Sequence, residues 1–433
     1  MAEGSVGTAP RRPRFDARVL ETGSLAEVAR AVEATASDPE GVGIMARKGR
    51  TYLVRLEHVS LKASPLLKQE LLSVGGDASH ARGIADHSLS ESPALLIATW
   101  GQYQRLLPKL RRQPFRLAEV ADAIDRALRA YTRTGPRTVP GAHRALTLGD
   151  RPRVMGVVNV TPDSFFEGSR VPTTEEAVRR AVALAAEGAD VIDVGGESTR
   201  PGARPVTPDA EWSRVGPVLD ALCGRLEVPI SIDTRHAEVA SRAVDAGADL
   251  INDVEGLRAE AMRRVVAGTG AAAIAMHLRG EPATMQQDLV YADLRGEVYH
   301  ALAEATARAV ADGVAPERLL VDPGIGFGKS AEQSLELLVH AGEFRSLGYP
   351  VVVGASRKSF LGALGGGETP ADRLAAGIAA AVLAAERGVE LVRTHDVAET
   401  VRALRLVAAG RRLADRPPAT PQGVEALRPG APE

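Results

Sequence analysis

Eight polar residues recur through the second half of the chain at the ends of short apolar runs: Asn159, Glu197, Asp233, Asn252, His277, Asp322, Ser356 and His395. The runs are RVMGVVNV, DVIDVGG, PISIDT, LINDV, AAIAMH, LLVDPG, VVVGAS and ELVRTH. One such residue would be explained by capping of the next helix. Eight in succession fit better with strand ends that share a face. Asp233, Asn252 and Asp322 together offer carboxylate acceptors and an amide that both donates and accepts, which suits an amino-substituted planar heterocycle. Two carboxylates on one face also fit a proton-transfer pair or hard-metal ligands, so the chemistry stays open at this point. Lys358, Arg393 and His395 follow the last two runs. In RTH, Arg393 and His395 are two apart, so on an extended strand they point to the same side and can grip one anion. The loops VTPDSFFEGSR and GGESTRPGARP are rich in Gly, Pro, Ser, Thr and Arg, and Arg200 can carry a charge over that anion. DPGIGFGKS is glycine-rich but lacks the spacing of a Walker A loop or a dinucleotide fingerprint.

The elements that must position these groups follow from the spacing. After Arg153 the Val/Ile-rich runs alternate with Ala-rich amphipathic segments, a pattern that predicts parallel strands joined by crossover helices. Eight units over roughly 250 residues favour a closed (β/α)8 barrel, in which strand-end residues line the C-terminal face. The expected barrel covers residues 153–412. Before it, helical patterns at Ser24–Ala34, LLKQELL, Leu106 and Leu117–Arg129 and strand-like runs at Arg50–Leu56 and Ala94–Thr99 predict a small α/β domain over 15–134. Its Gly75-Gly76-Asp77 with His80 and His87 reads as a turn with surface histidines. The Gly- and Pro-dense segment 135–152 reads as a linker, and 1–14 and 413–433 read as flexible tails.

Composition narrows the class. The chain has 433 residues, 45% hydrophobic and 25% charged, which is globular, and aromatics at 3% leave Ala, Val and Leu to fill the core. A net charge of -2 supplies no global field for nucleic acid or acidic membrane. Cys223 is the single cysteine, so an intrachain disulfide or multi-thiolate metal site is excluded and a reducing cytoplasm is expected. Arg11, Arg12 and Arg14 are not followed by a signal-peptide core, and no apolar run reaches the ~18 residues of a membrane span. Leu374–Ala385, apolar almost all round, predicts a helix covered on more than one side, as at a homodimer interface.

VVNVTPDSFFEG, DVIDVGGESTRPGA, ISIDT, LINDV, LLVDPGIGFGK, VGASRKSFLG and VRTHD, in this order over residues 153–410, resemble dihydropteroate synthase. The resemblance implies a cytoplasmic transferase of folate biosynthesis, joining (7,8-dihydropterin-6-yl)methyl diphosphate to 4-aminobenzoate with Mg2+. It implies a pterin site at Asp233, Asn252, Met276, Asp322 and Lys358, and a diphosphate site at Asn159, Arg200, Arg393 and His395. Asn159 would be the side-chain Mg2+ ligand. Thr199, Pro201, Phe327 and Ser356 would take 4-aminobenzoate, the subsite where sulfonamides compete in the family. Asp233, Asp322, Lys358 and Arg393 would carry the chemistry. The first loop departs from the family pattern at Phe166, Glu167 and Gly168. A related barrel, the methyltetrahydrofolate:corrinoid methyltransferase, and a non-catalytic pterin-binding or assembly protein are alternatives; the SRK, RTH and STRP groups favour the synthase. The first 135 residues lie outside the resemblance and carry no second folate-pathway motif.

Overall fold

The structure, a computed structural model, describes residues 17–161, 173–198, 205–281, 284–367 and 369–414. Among the described residues, contacts divide the chain into two compact units, 17–121 and 122–413.

The larger unit is the barrel. Its strands are Arg153–Asn159, Val191–Gly195, Ile230–Asp233, Leu250–Asp253, Ala272–Met276, Leu319–Asp322, Val352–Val353 and Leu391–Thr394. They lie in sequence order, all parallel, with the eighth strand beside the first. A parallel bridge from Val321 to Val351 joins the sixth and seventh strands and closes the cylinder. The residues of the second to sixth strands are buried without alternation, as expected where one face meets the barrel interior and the other the helices. Helices between and after the strands cover the outside. Thr174–Ala186 starts with a capping box from Thr173 and Glu176, and Ala331–Val339 with one from Ser330 and Gln333. Met155, Val191, Leu250, Ile274, Leu320 and Leu391 fill the base of the cylinder.

Segment 135–152, expected as a linker, is instead a plug for that base. Arg137–Val139 and Leu146–Leu148 form an antiparallel hairpin, and Val139, Leu146 and Leu148 are buried in the cluster at the foot of the barrel. Each such apolar side chain contributes about 1.5–3 kcal/mol by leaving water. The hairpin loop is tied down by Asp249, fully buried, which accepts from the backbone N–H groups of His143 (3.1 Å), Arg144 (2.6 Å) and Ile230 (2.9 Å). Two strands of three residues amid Gly and Pro give too little alternation to be recognised without their partners.

The smaller unit has a three-stranded antiparallel sheet with Glu91–Thr99 central between Thr51–Ser60 and Asp77–His80. Helices Ala63–Ser73 and Trp100–Leu110 bury Leu67, Leu71, Leu106 and Leu110. The Tyr103 hydroxyl is buried within 3.2 Å of the Tyr52 and Leu96 carbonyl oxygens. The Gly-Gly-Asp segment is a turn, Gly75 having φ 86°, and His80 is bonded to Ser64 at 2.8 Å while His87 is exposed. No helix among the described residues is long and apolar enough to cross a membrane.

Candidate active site

The parallel register sets the site. Asp233 is aligned with Gly195 on one side and Asn252 on the other, Met276 is aligned with Asp322, and Asn159 with Gly195. All lie at C-terminal strand ends. Asp233, Asn252, Met276 and Asp322 are each less than a tenth exposed. A buried polar group at such a place needs a partner or a ligand.

The first cluster is built on Arg393, two residues before His395 at the end of the eighth strand. Its Nε donates to Asp193 Oδ2 and its Nη2 to Asp233 Oδ2, both at 2.7 Å. Asn252 Nδ2 donates to the same Asp193 oxygen at 3.3 Å. Burial raises the Asp233 carboxyl to about 7, with Arg393 pulling it down and the nearby Asp193 pushing it up.

The second cluster surrounds Lys358. Its Nζ donates to the Ile325 carbonyl at 2.5 Å and lies 4.4 Å from the centre of the Phe327 ring. Burial lowers the Lys358 ammonium to about 8, against the opposing pull of Asp322. Asp322 accepts from Gly324 N at 2.7 Å, and burial raises its carboxyl although Lys358 favours the ionised form. Asp322, Arg393 and Asp233 all lie near enough to act on the charge of Lys358, so the two clusters are neighbours at the strand ends. Phe327 packs on the buried apolar group of Val254, Met276, Leu278 and Met285.

The glycines of DPGIGFGKS let backbone pass under these side chains. A Cβ on Gly324 would lie 1.8 Å from the His277 carbonyl oxygen, and Gly326, at φ 81°, would meet the Lys358 stem at 3.1 Å. Lys329, near the end of the motif, is buried and donates to the Gly324 and Phe327 carbonyls, each 2.9 Å, with His277 Nδ1 also at 2.9 Å. It closes the loop that carries Phe327. Burial and the neighbouring Lys329 drive His277 down to about 2, so this ring is neutral.

Ser356 and His395 meet at the rim: Ser356 Oγ lies 3.2 Å from both the backbone N and Nδ1 of His395. The Asn159 side chain is partly buried and has no hydrogen-bond partner among the described residues. Two of the eight strand-end groups are committed elsewhere. Glu197 is held by Arg235 at 3.0 and 3.2 Å, and His277 by Lys329. Glu197, Glu211 and His236 have the atoms for a metal cluster, but Arg235 satisfies Glu197, and Glu211 Oε2 is bonded to His236 at 2.6 Å and to Thr234 at 3.0 Å. Thr199, Arg200 and Pro201, and the unusual Phe166, Glu167 and Gly168, lie outside the described residues.

Sequence reasoning missed Asp193 and Lys329. Asp193 did leave a signal: an acidic residue in the middle of the apolar run DVIDVGG must be buried, and a buried carboxylate must have a partner.

The strand ends thus set the carboxylates of Asp233 and Asp322 and the amide of Asn252 near the cations Lys358 and Arg393, a set of donors and acceptors that can take a flat nitrogen-rich ring carrying an anionic substituent. Comparison with known proteins agrees with this chemistry. The family described as Pterin binding enzyme matches residues 155–395. A Halobacterium salinarum protein named probable bifunctional folylpolyglutamate synthase/dihydropteroate synthase is 42% identical over 409 residues, 94% of this chain and 49% of its own length. The chain thus spans about half of that relative, and the match extends beyond the barrel. The Escherichia coli dihydropteroate synthase is 44% identical over 258 residues, 60% of this chain and 91% of its own. The crystal structure of Burkholderia cenocepacia dihydropteroate synthase complexed with 7,8-dihydropteroate superposes with a TM-score of 0.59 at 44% identity, covering 64% of this chain and 98% of that one.

Proposed function

Since the chain belongs to the pterin binding enzyme family, we propose that its barrel condenses (7,8-dihydropterin-6-yl)methyl diphosphate with 4-aminobenzoate to give 7,8-dihydropteroate and diphosphate. What supports this reading is the row of buried Asp233, Asn252 and Asp322 at the C-terminal strand ends, with Arg393 bonded to Asp233 and the charge of Lys358 close by. The E. coli relative, named for the synthase alone, matches a stretch of barrel length, so the activity is assigned to the barrel and not to the N-terminal unit. Of the two activities in the Halobacterium relative's name, the synthase is the one assigned to this chain.

In the reaction the CH2–O bond breaks, its electron pair leaves with diphosphate, and the amine nitrogen of 4-aminobenzoate forms the new C–N bond and then sheds a proton. Asp233, Asn252 and Asp322 hold the pterin's N–H edge, with Met276 against its ring, and the two carboxylates favour the positive charge that develops there. Lys358 donates to a pterin acceptor atom. Arg393 and His395, with Arg200 from the second loop, stabilise the departing diphosphate. Phe327 and Ser356, with Thr199 and Pro201, hold 4-aminobenzoate at the mouth. The arylamine needs no strong base, since its neutral nitrogen is already nucleophilic.

Mg2+ fits the donor set. Asn159 offers a partly buried amide oxygen with no partner among the described residues, and Mg2+ takes one or two protein oxygens and fills its remaining positions with water and phosphate. Asn159 would hold the ion, which supplies charge neutralisation at the diphosphate. On the helix Leu374–Glu386 the exposed Ala375, Ala379 and Leu383 follow one another at four-residue spacing, and this apolar stripe supports a homodimer built on that face. A cytoplasmic site fits the single cysteine, Cys223.

The test is the full chain with both substrates and Mg2+, following diphosphate and dihydropteroate together. Equimolar formation of the two is expected. Methyl transfer from a methylated folate, or pterin binding without diphosphate release, would overturn the reading.

A further inference from the structure

We infer that Asp193 is a positioning residue for this reaction: it keeps Arg393 in the pocket by its Nε while the rest of the guanidinium exchanges Asp233 for the diphosphate. The inference rests on the proposed pterin diphosphate substrate. Asp193 stands in the middle of the second barrel strand, aligned with Val157 and Ser231, and is fully buried. Its Oδ2 takes both Arg393 Nε and Asn252 Nδ2, so one carboxylate oxygen fixes a residue of the proposed diphosphate site and one of the proposed pterin site. Its Oδ1 is buried and has no hydrogen-bond partner. An ionised carboxylate in that setting persists only with a cation held against it, and Arg393 is the cation in contact.

Asp233 stands differently. It is the other carboxylate on Arg393, through Nη2, and it is also one of the acceptors assigned to the pterin ring. Ring and guanidinium therefore compete for Asp233, and the Arg393–Asp233 pair must open as the pterin enters. Asp193 makes that opening possible at low cost. Held at Nε, the guanidinium turns from Asp233 towards the anionic tail of the same substrate instead of leaving the site. Without the Asp193 charge, Arg393 would have Asp233 as its one remaining carboxylate, and the pterin would have to displace a tighter pair.

The test is a double-mutant cycle on the full chain, which isolates the coupling of two residues. Isothermal titration with a 6-hydroxymethyl pterin reads the ring site, and inorganic diphosphate with Mg2+ reads the anion site. Asp193→Asn is expected to weaken both by on the order of 10-fold, the lower end for losing a hydrogen bond to a charged group. In an Arg393→Gln background the same substitution is expected to change neither by more than about 2-fold, because the partner is gone. Equal losses in both backgrounds would reduce Asp193 to a structural residue, and no loss from Asp193→Asn with Arg393 intact would remove it from the site. If Asp193→Asn does not fold, Arg393→Lys is read instead: it keeps the charge, lacks Nε, and is expected to lose diphosphate affinity by a similar factor. Wild-type affinity in that variant would overturn the inference. Wild-type protein that binds neither probe would overturn the proposed function itself, a different result from one that binds both irrespective of Asp193.

Discussion

Replacing Lys358 by Met separates what this pocket does for stability from what it does for function. The ammonium is pushed from 10.5 to about 8 by burial. At about 1.4 kcal/mol per pH unit, that is about 3 kcal/mol standing against the charged form at neutral pH. Methionine has similar length and no charge to desolvate, so the substitution removes this cost. Against it stands the Ile325 carbonyl, which loses its donor at 2.5 Å and costs about 1–3 kcal/mol if it stays dry. The two terms nearly cancel. Ligand-free Lys358→Met is therefore expected to be within about 1 kcal/mol of the wild type at pH 7.

The sign with pH follows from the depressed value. Below pH 8 the folded wild type holds a charge it disfavours, while above 10.5 the lysine is neutral folded or unfolded and the penalty is gone. Urea unfolding of the two proteins at pH 7 and at pH 10.5 should show the wild type gaining on the variant as pH rises between those values. Turnover behaves oppositely. Losing a charged hydrogen bond to the substrate, worth about 1.5–3 kcal/mol, lowers kcat/KM on the order of 10- to 100-fold in a diphosphate-release assay. A variant that unfolds more than about 3 kcal/mol more easily while turning over at the wild-type rate would refute this account of Lys358.

Other expectations follow from the same structure. Arg393→Ala removes the cation that holds Asp233 down, so the Asp233 carboxyl rises above about 7; the acid limb of pterin binding, followed by titration calorimetry across pH, should move to higher pH, and an unmoved limb would contradict the pairing. Asp249→Ala strips three backbone N–H groups of their buried acceptor and should cost about 3–5 kcal/mol in urea unfolding, with little change in turnover per folded molecule. Chelation with EDTA should stop dihydropteroate formation and added Mg2+ restore it; activity persisting in EDTA would exclude the role given to Asn159. Light scattering should give a dimer mass, and Leu383→Glu on the apolar helix should shift it to monomer.

Most of the barrel was legible because its signal is local. Each strand is a short apolar run between Ala-rich helical segments, and the register follows once the runs are parallel. What was not legible depends on partners far away in sequence. Val139, Leu146 and Leu148 look like isolated residues in a Gly/Pro-rich stretch until the barrel base is there to cover them. Glu197 and His277 carry the same strand-end pattern as Asp233, yet they are already bonded to Arg235 and Lys329, and nothing local distinguishes a committed side chain from an available one. Asp193 shows the reverse case, hidden within a strand and bonded to a residue 200 positions away. The purpose of the glycines in DPGIGFGKS emerged only with His277 and Lys358 packed against them.

A crystal structure of the full chain with a pterin diphosphate analogue and Mg2+ tests the central claim most directly. The ring is expected with its N–H edge on Asp233, Asn252 and Asp322, Lys358 on its acceptor side, and Arg393 turned from Asp233 to the phosphates while still bonded to Asp193. A ring bound outside these groups, or Arg393 still paired with Asp233 beneath it, would contradict the account.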